Sequence, residues 1–433
     1  MKTTATVFLL ALSCQLTFAQ QSTLPVLKEA KPETVGMSTD RLQRLDRVLQ
    51  EYTSQNLVPG AIAYIVRDGK VVYNKAFGVD DVAAKTPLQR DAIMRIASQT
   101  KAITSLGVMM LYEEGRFLLD DPISKYIPAF ANQKVLATFN EKDSSYTTVP
   151  AKRPVTIRQL LTHTSGIGYA VIGSKESKAI YAKAHVPSGI GTPSGSLATA
   201  MNALGPLPLE HQPGERFTYG LSVDVLGYLI EVLSGQSLDE YFRQRIFEPL
   251  GMKDTYFYLP AAKQARLATL YTEDATRHTI KMGMHDGITP VPDYPKTKGT
   301  YFSGGAGLSS TIQDYAIFLQ MMLNGGEYNG RRLLSPTTVR LMTINQIGEV
   351  EQGGGNKFGL GFSLTTTKTT GRLGESEGAF GWGGIFGTTY WVDPKEGIVA
   401  LLYTQKSPNS SSSLQDRFRT LVYQALTSSR VAR

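Results

Sequence analysis

Two short stretches of the chain contain the residue types of a serine acyl-transfer site. Ser98 and Lys101 form S-x-x-K within MRIASQTKAITSLGVMMLYEEG (94–115), and Ser376 forms G-x-S-x-G within GESEG (374–378). A serine hydroxyl attacks a carbonyl carbon when a neighbouring base takes its proton. Both motifs therefore predict the same chemistry, and their surroundings decide between the two serines.

The surroundings of Ser98 favour a nucleophile. From Ser98 onward the residues favour a helix with apolar side chains to bury, among them Leu106, Met109 and Met110. Residues three apart on a helix share one face, so Lys101 lies on the face of Ser98. A serine at a helix start is also close to unpaired N–H groups and to the positive end of the helix dipole. A lysine accepts a proton only in its neutral form, which burial favours.

The surroundings of Ser376 do not favour a nucleophile. A G-x-S-x-G elbow needs a hydrophobic strand before the serine and a helix after it. Here TTTKTTGRLGESE is polar, and the following GAFGWGG cannot form a helix. Glu375 and Glu377 would also repel an oxyanion that forms beside them. The sequence therefore predicts that Ser376 lies in a surface loop.

Further motifs follow S-x-x-K in a fixed order along the chain. They are LLTHTSGIG (160–168), PGERFTYGLSVDVLGYLIEVLSG (213–235), SGGAGLSSTIQDYAIFL (303–319) and GWGGIFGTTYWVDP (381–394). Together with S-x-x-K this set resembles the serine β-lactamase and penicillin-binding-protein superfamily. Within that superfamily the chain is most similar to family VIII carboxylesterases, which are class C β-lactamase-like. The resemblance extends over nearly the whole chain after residue 19.

The resemblance implies a role for each matching residue. Ser98 would be the nucleophile, Lys101 its base, and Tyr219 the group that passes protons between serine, leaving group and water. Lys101 and Tyr219 would then titrate as a coupled pair. The backbone N–H groups of Ser98 and Ile385 would form the oxyanion hole. Three residues would replace the third motif and bind substrate at a strand edge, where glycine lets a ligand approach: Trp382, Gly383 and Gly384.

Two departures from the lactamase pattern bear on the substrate. The second motif Y-x-N is Tyr219-Gly220-Leu221 here, and the third motif K-T-G is replaced by Trp382-Gly383-Gly384. The near-matches KTKG (296–299) and KTTG (368–371) do not directly precede a strand-like run. The missing lysine would have held the carboxylate of a β-lactam or peptide. The pattern therefore favours short-chain neutral esters as substrates.

Four functions are compatible with the sequence. The first is a serine carboxylesterase that works through an acyl-enzyme on Ser98. The second is a β-lactamase or D-amino-acid peptidase, and the third is an acyltransferase of the same fold. The fourth is a non-catalytic ligand sensor, against which the joint presence of Ser98, Lys101 and Tyr219 argues.

Strand and helix patterns occur at both ends of the chain. A helix with Ser38 as its cap is predicted over 38–56, and a hairpin around Asp68-Gly69 over 61–78. A second hairpin is predicted from strands at 384–393 and 397–405, followed by a helix at about 413–427.

The middle of the chain is predicted to consist mostly of helices and loops. Amphipathic helical patterns cover 156–163, 222–235 and 237–251. The expected fold class is α/β (α+β): an antiparallel sheet built from both chain ends and flanked by helices, with an inserted, mostly helical domain. The predicted divisions are a signal peptide at 1–19, an α/β domain from 20–115 and 300–433, and the inserted domain at 116–299.

The first residues, MKTTATVFLLALSCQLTFAQQ, have the pattern of a secretory signal. Thr17 and Ala19 fit a signal-peptidase site, so the mature chain would begin at Gln20 in the periplasm or outside the cell. A lipoprotein modified at Cys14 is the alternative, although the preceding residues ALS fit it poorly. Cys14 is the only cysteine of the chain. The mature protein would therefore have no disulfide and no thiolate metal site.

Composition argues against several other classes of function. The net charge of +8 comes from scattered basic residues, so no nucleic acid is expected as a partner. No apolar run is long enough for a membrane span. The five histidines, His163, His185, His211, His278 and His285, lack zinc-helix spacing, so neither metal nor cofactor is expected. His163 is predicted to be a structural hydrogen-bonding residue. The expected partner is a small-molecule ester, and the oligomeric state is left open.

Overall fold

The computed structural model describes residues 26–284, 291–410 and 413–430. The predicted signal peptide, its cleavage site and His285 lie outside the described residues. Within the described ranges, no helix is long and apolar enough to cross a membrane.

The largest element is a nine-stranded sheet in the order β1-β3-β2-β17-β16-β15-β14-β13, with β4 paired to β3. Its strands come from residues 28–87 and 357–403, that is, from both ends of the chain. They are β1 Lys28–Glu29, β2 Gly60–Arg67, β3 Lys70–Asp81, β4 Thr86–Pro87, β13 Lys357–Phe358, β14 Ser363–Leu364, β15 Phe380–Gly384, β16 Thr388–Asp393 and β17 Ile398–Tyr403.

The centre of this sheet joins the two ends of the chain. Strand β17 pairs antiparallel with β2 in a continuous register from Ile398 opposite Arg67 to Tyr403 opposite Ile62. The predicted antiparallel sheet is therefore present. One pair at its edge differs, because β1 runs parallel to β3.

Helices cover both faces of the sheet. The helices are α1 Thr39–Ser54, α2 Thr100–Glu113, α3 Ile157–Leu161, α4 Lys175–Lys183, α5 Leu197–Leu204, α6 Ser222–Ser234, α7 Leu238–Phe242, α8 Glu248–Leu250, α9 Ile312–Leu323, α10 Pro336–Met342 and α11 Ser413–Gln424. Successive side chains of a strand point to opposite faces. Accordingly Ala61, Ala63 and Ile65 of β2 pack with α1 and α11, and the alternate residues of β2 pack in the core that contains α2 and α9.

Local signals at the chain ends gave the correct elements. Helix α1 begins after Ser38, whose hydroxyl accepts a hydrogen bond from Arg41 N at 3.2 Å. The predicted first hairpin is β2–β3, and its turn residues Asp68 and Gly69 have φ of 55° and 71°. Asp-Gly tolerates this left-handed backbone, which is why the pair marks a hairpin.

The second predicted hairpin was wrong at its start. The stretch 384–393 is not one strand, because Gly384 ends β15 and β16 begins only at Thr388. The backbone reverses between them, with Gly387 at φ 85°. A tight turn therefore places Ile385 at the end of β15, next to the catalytic candidates.

The middle of the chain is mostly helical, as predicted, but it also has two small two-stranded sheets that were not predicted. They are formed by β6 Lys134–Phe139 with β7 Tyr146–Pro150, and by β8 Tyr271–Glu273 with β9 Thr279–Lys281.

The helix expected at 237–251 starts as α7, widens into a π-helical stretch at Arg243–Phe247, and ends as α8. The remaining short strands are β5 Met94–Arg95 with β10 Ser309–Ser310, and β11 Glu327–Tyr328 with β12 Arg331–Arg332. The predicted domain boundaries at residues 115 and 300 stay a prediction.

Candidate active site

Ser98 lies in a single 3₁₀ turn, Ala97–Gln99, directly before α2. The residue before it, Ala97, has φ 43°, a left-handed conformation that costs a residue other than glycine about 1–3 kcal/mol. Ser98 is 6% exposed. The backbone of Gln99 is fixed from the core, since Tyr315 Oη donates to Gln99 O at 2.8 Å. The nucleophile candidate is thus held on a strained, well-anchored turn.

Lys101 lies in the first turn of α2 and is buried, with 3% of its surface exposed. Its Nζ donates a hydrogen bond to Gly305 O at 2.8 Å. The same nitrogen lies 4.6 Å from the ring centre of Tyr219 and 5.5 Å from that of Tyr169. Aromatic faces and one carbonyl oxygen therefore surround the amine in place of water.

Tyr219 lies in the loop before α6, half-buried, and is held by backbone bonds on either side. Thr218 N donates to His163 O at 2.7 Å, and Leu221 N donates to Gly168 O at 3.0 Å. A side chain at Gly220 would collide with the carbonyl oxygens of residues 167 and 168. This close approach of two backbones explains why glycine follows the tyrosine here.

Strand β15 forms the opposite wall of the site. The indole N–H of Trp382 donates to Tyr219 Oη at 3.4 Å, and the two rings lie 5.4 Å apart. A side chain at Gly384 would collide with the carbonyl oxygen of Ile96, two residues before Ser98. The end of β15, with Gly383, Gly384 and then Ile385, therefore lies directly beside the turn that carries Ser98.

His163 lies closer to these residues than the sequence suggested. Its ring centre is 4.8 Å from that of Tyr219, and its Nδ1 is buried without a hydrogen-bond partner. The structural hydrogen bond predicted for His163 is made by its backbone oxygen, which accepts from Thr218 N. Burial and the nearby charge of Lys101 lower the pKa of His163 well below its usual value. The ring is neutral at physiological pH and packs against the ring of Tyr219.

Ser376 lies in a loop before β15, as predicted. Its backbone N–H donates to Asp393 Oδ2 at 2.9 Å, and Tyr423 Oη donates to the same oxygen at 2.9 Å. Tyr423 belongs to α11 and to the core on the other face of the sheet, whereas Tyr219 packs against the core that contains α2, the helix of Lys101. The bonds around Ser376 thus tie a loop to a helix and bring no base to the hydroxyl.

The sequence reading missed two residues of this site. Tyr169 stacks on Tyr219 with ring centres 5.9 Å apart. Asp224 is buried on α6, close to Lys101. An acidic residue inside the apolar run SVDVLGYLI was the signal that could have identified Asp224. Among the described residues, no group of three or more histidine, cysteine or acidic side chains could hold a metal ion.

The architecture has known counterparts among solved structures. EstCE1, described as a hydrolase with promiscuous acyltransferase activity, superposes with a TM-score of 0.77 at 27% identity, over 88% of this chain and 98% of its own. This likeness shows an architecture shared with a hydrolase.

The family follows from the sequence comparison. The family model described as Beta-lactamase matches residues 45–424, so the chain belongs to the Beta-lactamase family and has a β-lactamase-like fold.

The curated proteins to which the chain is similar have names that refer to different activities. Esterase EstB of Burkholderia gladioli is 30% identical over 396 residues, which cover 88% of this chain and 94% of EstB. A protein named putative D-alanyl-D-alanine carboxypeptidase in Escherichia coli K12 is 29% identical, over 92% of this chain and 89% of its own length. The family resemblance drawn from the motifs is confirmed, and the enzyme is a serine hydrolase. The names of the relatives leave the substrate class to be argued from the site.

Proposed function

We propose that the protein is a serine carboxylesterase that hydrolyses short-chain neutral esters through an acyl-enzyme on Ser98. The observation that carries the proposal is the convergence of three separate segments. The strained turn with Ser98, the buried amine of Lys101 and the loop with Tyr219 meet against the end of β15. A nucleophile, a sheltered base and a hydroxyl proton carrier are the parts that acyl transfer requires.

In acylation, Ser98 Oγ attacks the ester carbonyl carbon while its proton passes to Lys101 Nζ. The carbonyl π electrons move onto oxygen, and the backbone N–H groups of Ser98 and Ile385 stabilise that oxyanion. The carbon–alkoxide bond then breaks, Tyr219 Oη gives its proton to the leaving alkoxide, and Lys101 Nζ returns the proton taken from Ser98 to Tyr219 Oη. Water then attacks the acyl carbon while its proton passes to Lys101 Nζ. The bond between that carbon and Ser98 Oγ breaks, and the proton returns through Tyr219 Oη to Ser98 Oγ as the acid leaves.

Gly384→Ala tests the role given to the end of β15. The new side chain would collide with the Ile96 carbonyl and move the Ile385 N–H away from Ser98. We expect kcat/KM for p-nitrophenyl butyrate to fall about a hundredfold or more, the usual effect of losing an oxyanion-hole donor. Gly330→Ala is the control. Gly330 has φ 75°, and a side chain there would meet no other atom within 4 Å, so this variant adds backbone strain without a collision. Activity of a folded Gly384→Ala variant within threefold of the wild type would contradict this role.

The contacts of Trp382 support a preference for neutral esters. The indole has a single N–H and no charge, and that N–H points to Tyr219 Oη. A substrate carboxylate would find no cation at this position of the third motif. A charge-assisted hydrogen bond contributes about 1.5–3 kcal/mol, so its absence costs an anionic lactam roughly tenfold to a hundredfold in kcat/KM. An ester without a carboxylate loses nothing there.

We therefore expect kcat/KM for p-nitrophenyl acetate and p-nitrophenyl butyrate to exceed that for nitrocefin by more than tenfold on one enzyme preparation. Trp382→Lys should shift the ratio towards nitrocefin, because it restores a cation. Nitrocefin turnover within tenfold of the esters would refute the preference. A folded Trp382→Lys variant with an unchanged ratio would show that the missing cation is not its cause.

Acyl transfer to an alcohol is the second candidate, and the description of EstCE1 favours it. Both reactions share the acyl-enzyme on Ser98 and differ in the acceptor that enters second. Product analysis with p-nitrophenyl butyrate and a primary alcohol separates them. Ester formation that outruns butyrate release in dilute alcohol would favour the acyltransferase.

A further inference from the structure

Asp224 is a buried acid for which the proposed acyl-transfer steps have no use. It lies in the first turn of α6 and is 1% exposed. Its Oδ1 accepts a hydrogen bond from Ser303 Oγ at 2.7 Å, and Ser303 Oγ in turn accepts from Ala306 N at 3.0 Å. A buried charge is costly unless a partner compensates it, so the partner of this carboxylate needs to be identified.

The partner is found across one glycine. Lys101 Nζ donates to the oxygen of Gly305, and a side chain placed at Gly305 would collide with Asp224 Oδ2 while lying 3.4 Å from Lys101 Nζ. The amine and the carboxylate therefore face the same residue from two sides. Burial raises the pKa of Asp224, whereas the hydrogen bond from Ser303 and the nearby charge of Lys101 act in the opposite direction and favour the carboxylate.

The other titratable groups around this pair are neutral or belong to the reaction. Burial raises the pKa values of Tyr169 and Tyr301 well above the usual tyrosine value, and the nearby carboxylate of Asp224 adds to both shifts. The pKa of His163 is well below its usual value, chiefly through burial. Tyr219 is the proton carrier of the proposed mechanism. Asp224 is thus the acid that these contacts bring to Lys101.

We propose that Asp224 is a positioning residue that acts through Lys101: its carboxylate stabilises the ammonium group formed when Lys101 takes the proton of Ser98. This inference rests on the proposed function. During attack the proton moves from Ser98 Oγ to Lys101 Nζ, and an oxygen lone pair forms the bond to carbon. A positive charge thereby forms on the buried amine, and the negative carboxylate across Gly305 stabilises it.

A purely structural role for Asp224 would need no charge. Asparagine has nearly the same shape, and its side-chain oxygen can accept the same bond from Ser303. Asp224→Asn therefore removes the charge and retains the hydrogen bond. Since a nearby opposite charge favours the protonated form of an amine, removal of the carboxylate should shift the pH dependence of the activity to lower pH and should weaken the proton acceptor.

The experiment is the pH profile of p-nitrophenyl butyrate hydrolysis by Asp224→Asn and wild type. We expect the acid limb of kcat/KM to move down by about one pH unit or more, as for loss of an opposite charge nearby. We also expect the plateau kcat to fall about tenfold. Asp314→Asn is the matched control, because Asp314 is 6% exposed and its carboxylate bonds to Asp254 N and Thr255 Oγ1 instead. Its profile should coincide with that of the wild type.

Ser303→Ala is the second variant and decides the matter if Asp224→Asn does not fold. It keeps the carboxylate and removes a donor that favours its charged form, so the acid limb should move in the same direction by a smaller amount. If Asp224→Asn folds and its acid limb lies where the wild-type limb lies, the inference is overturned. If Asp224→Asn does not fold, an unshifted acid limb in Ser303→Ala overturns it. Failure of the proposed function is distinguishable, because wild type would then hydrolyse no ester or Ser98→Ala would remain active.

Discussion

Ser98→Ala is expected to abolish ester hydrolysis, with kcat/KM at least about a thousandfold below wild type, as for loss of other serine nucleophiles. Ser376→Ala is expected to retain most of the activity. The contrast has a structural reason. The turn that carries Ser98 leads into the helix of the buried amine Lys101, whereas the contacts around Ser376 link its loop to Asp393 and, through that carboxylate, to α11.

The measurement has two parts. Steady-state hydrolysis of p-nitrophenyl butyrate gives the rates, and intact mass followed by peptide mapping locates the acyl group trapped from an activated ester. The adduct should map to the peptide that contains Ser98 in wild type and in Ser376→Ala. A folded but inactive Ser376→Ala variant, or an adduct on Ser376, would overturn the assignment of the nucleophile.

Lys101→Ala and Tyr219→Phe should each lower kcat by about a hundredfold to ten-thousandfold, the usual contribution of a positioned general acid or base. Their effects on KM should be smaller, because both groups act on protons that move in the transition state. A base must be free of its proton before serine attacks. Wild-type activity should therefore rise from mildly acid towards alkaline pH, with no step from His163, whose lowered pKa keeps the ring neutral.

Tyr294→Phe provides the matched control for Tyr219→Phe. Tyr294 is a buried tyrosine in a 3₁₀ turn, and its hydroxyl lies near Arg95 and Ser309. Removal of this hydroxyl should leave kcat within about twofold of the wild-type value. Circular dichroism should show that all the variants are folded. If Lys101→Ala or Tyr219→Phe keeps half of the wild-type kcat, the residue in question is a bystander.

Elements whose formation depends on residues close in sequence could be predicted from the sequence. Helix α1 follows from its apolar spacing and its serine cap, and β2–β3 follows from Asp-Gly between two β-rich runs. Strand β15, with the sequence FGWGG, has no such signal, because three of its five residues are glycine and glycine disfavours strands. Its pairing with β14 and β16 makes it a strand, and that pairing is a tertiary effect.

The same distinction applies to the site. The spacing of Ser98 and Lys101 on one helical face could be predicted from three residues of separation. The approach of His163 to Tyr219 and of Asp224 to Ser303 could not, since the latter pair is 79 residues apart in sequence. Such contacts depend on how α6 and the segment before β10 pack, which no periodicity specifies. The domain boundaries and the export signal stay predictions.

The pairing of β2 with β17 governs when this enzyme can fold during its synthesis. Residues 60–67 leave the ribosome early, but their partner at residues 398–403 is made more than 300 residues later. At about 5–20 residues per second, the delay is on the order of tens of seconds. Throughout that time the apolar edge of β2 remains open, and the serine turn has no β15 against which to pack. We therefore expect the nascent chain to be inactive and prone to aggregation until its last strands have been made.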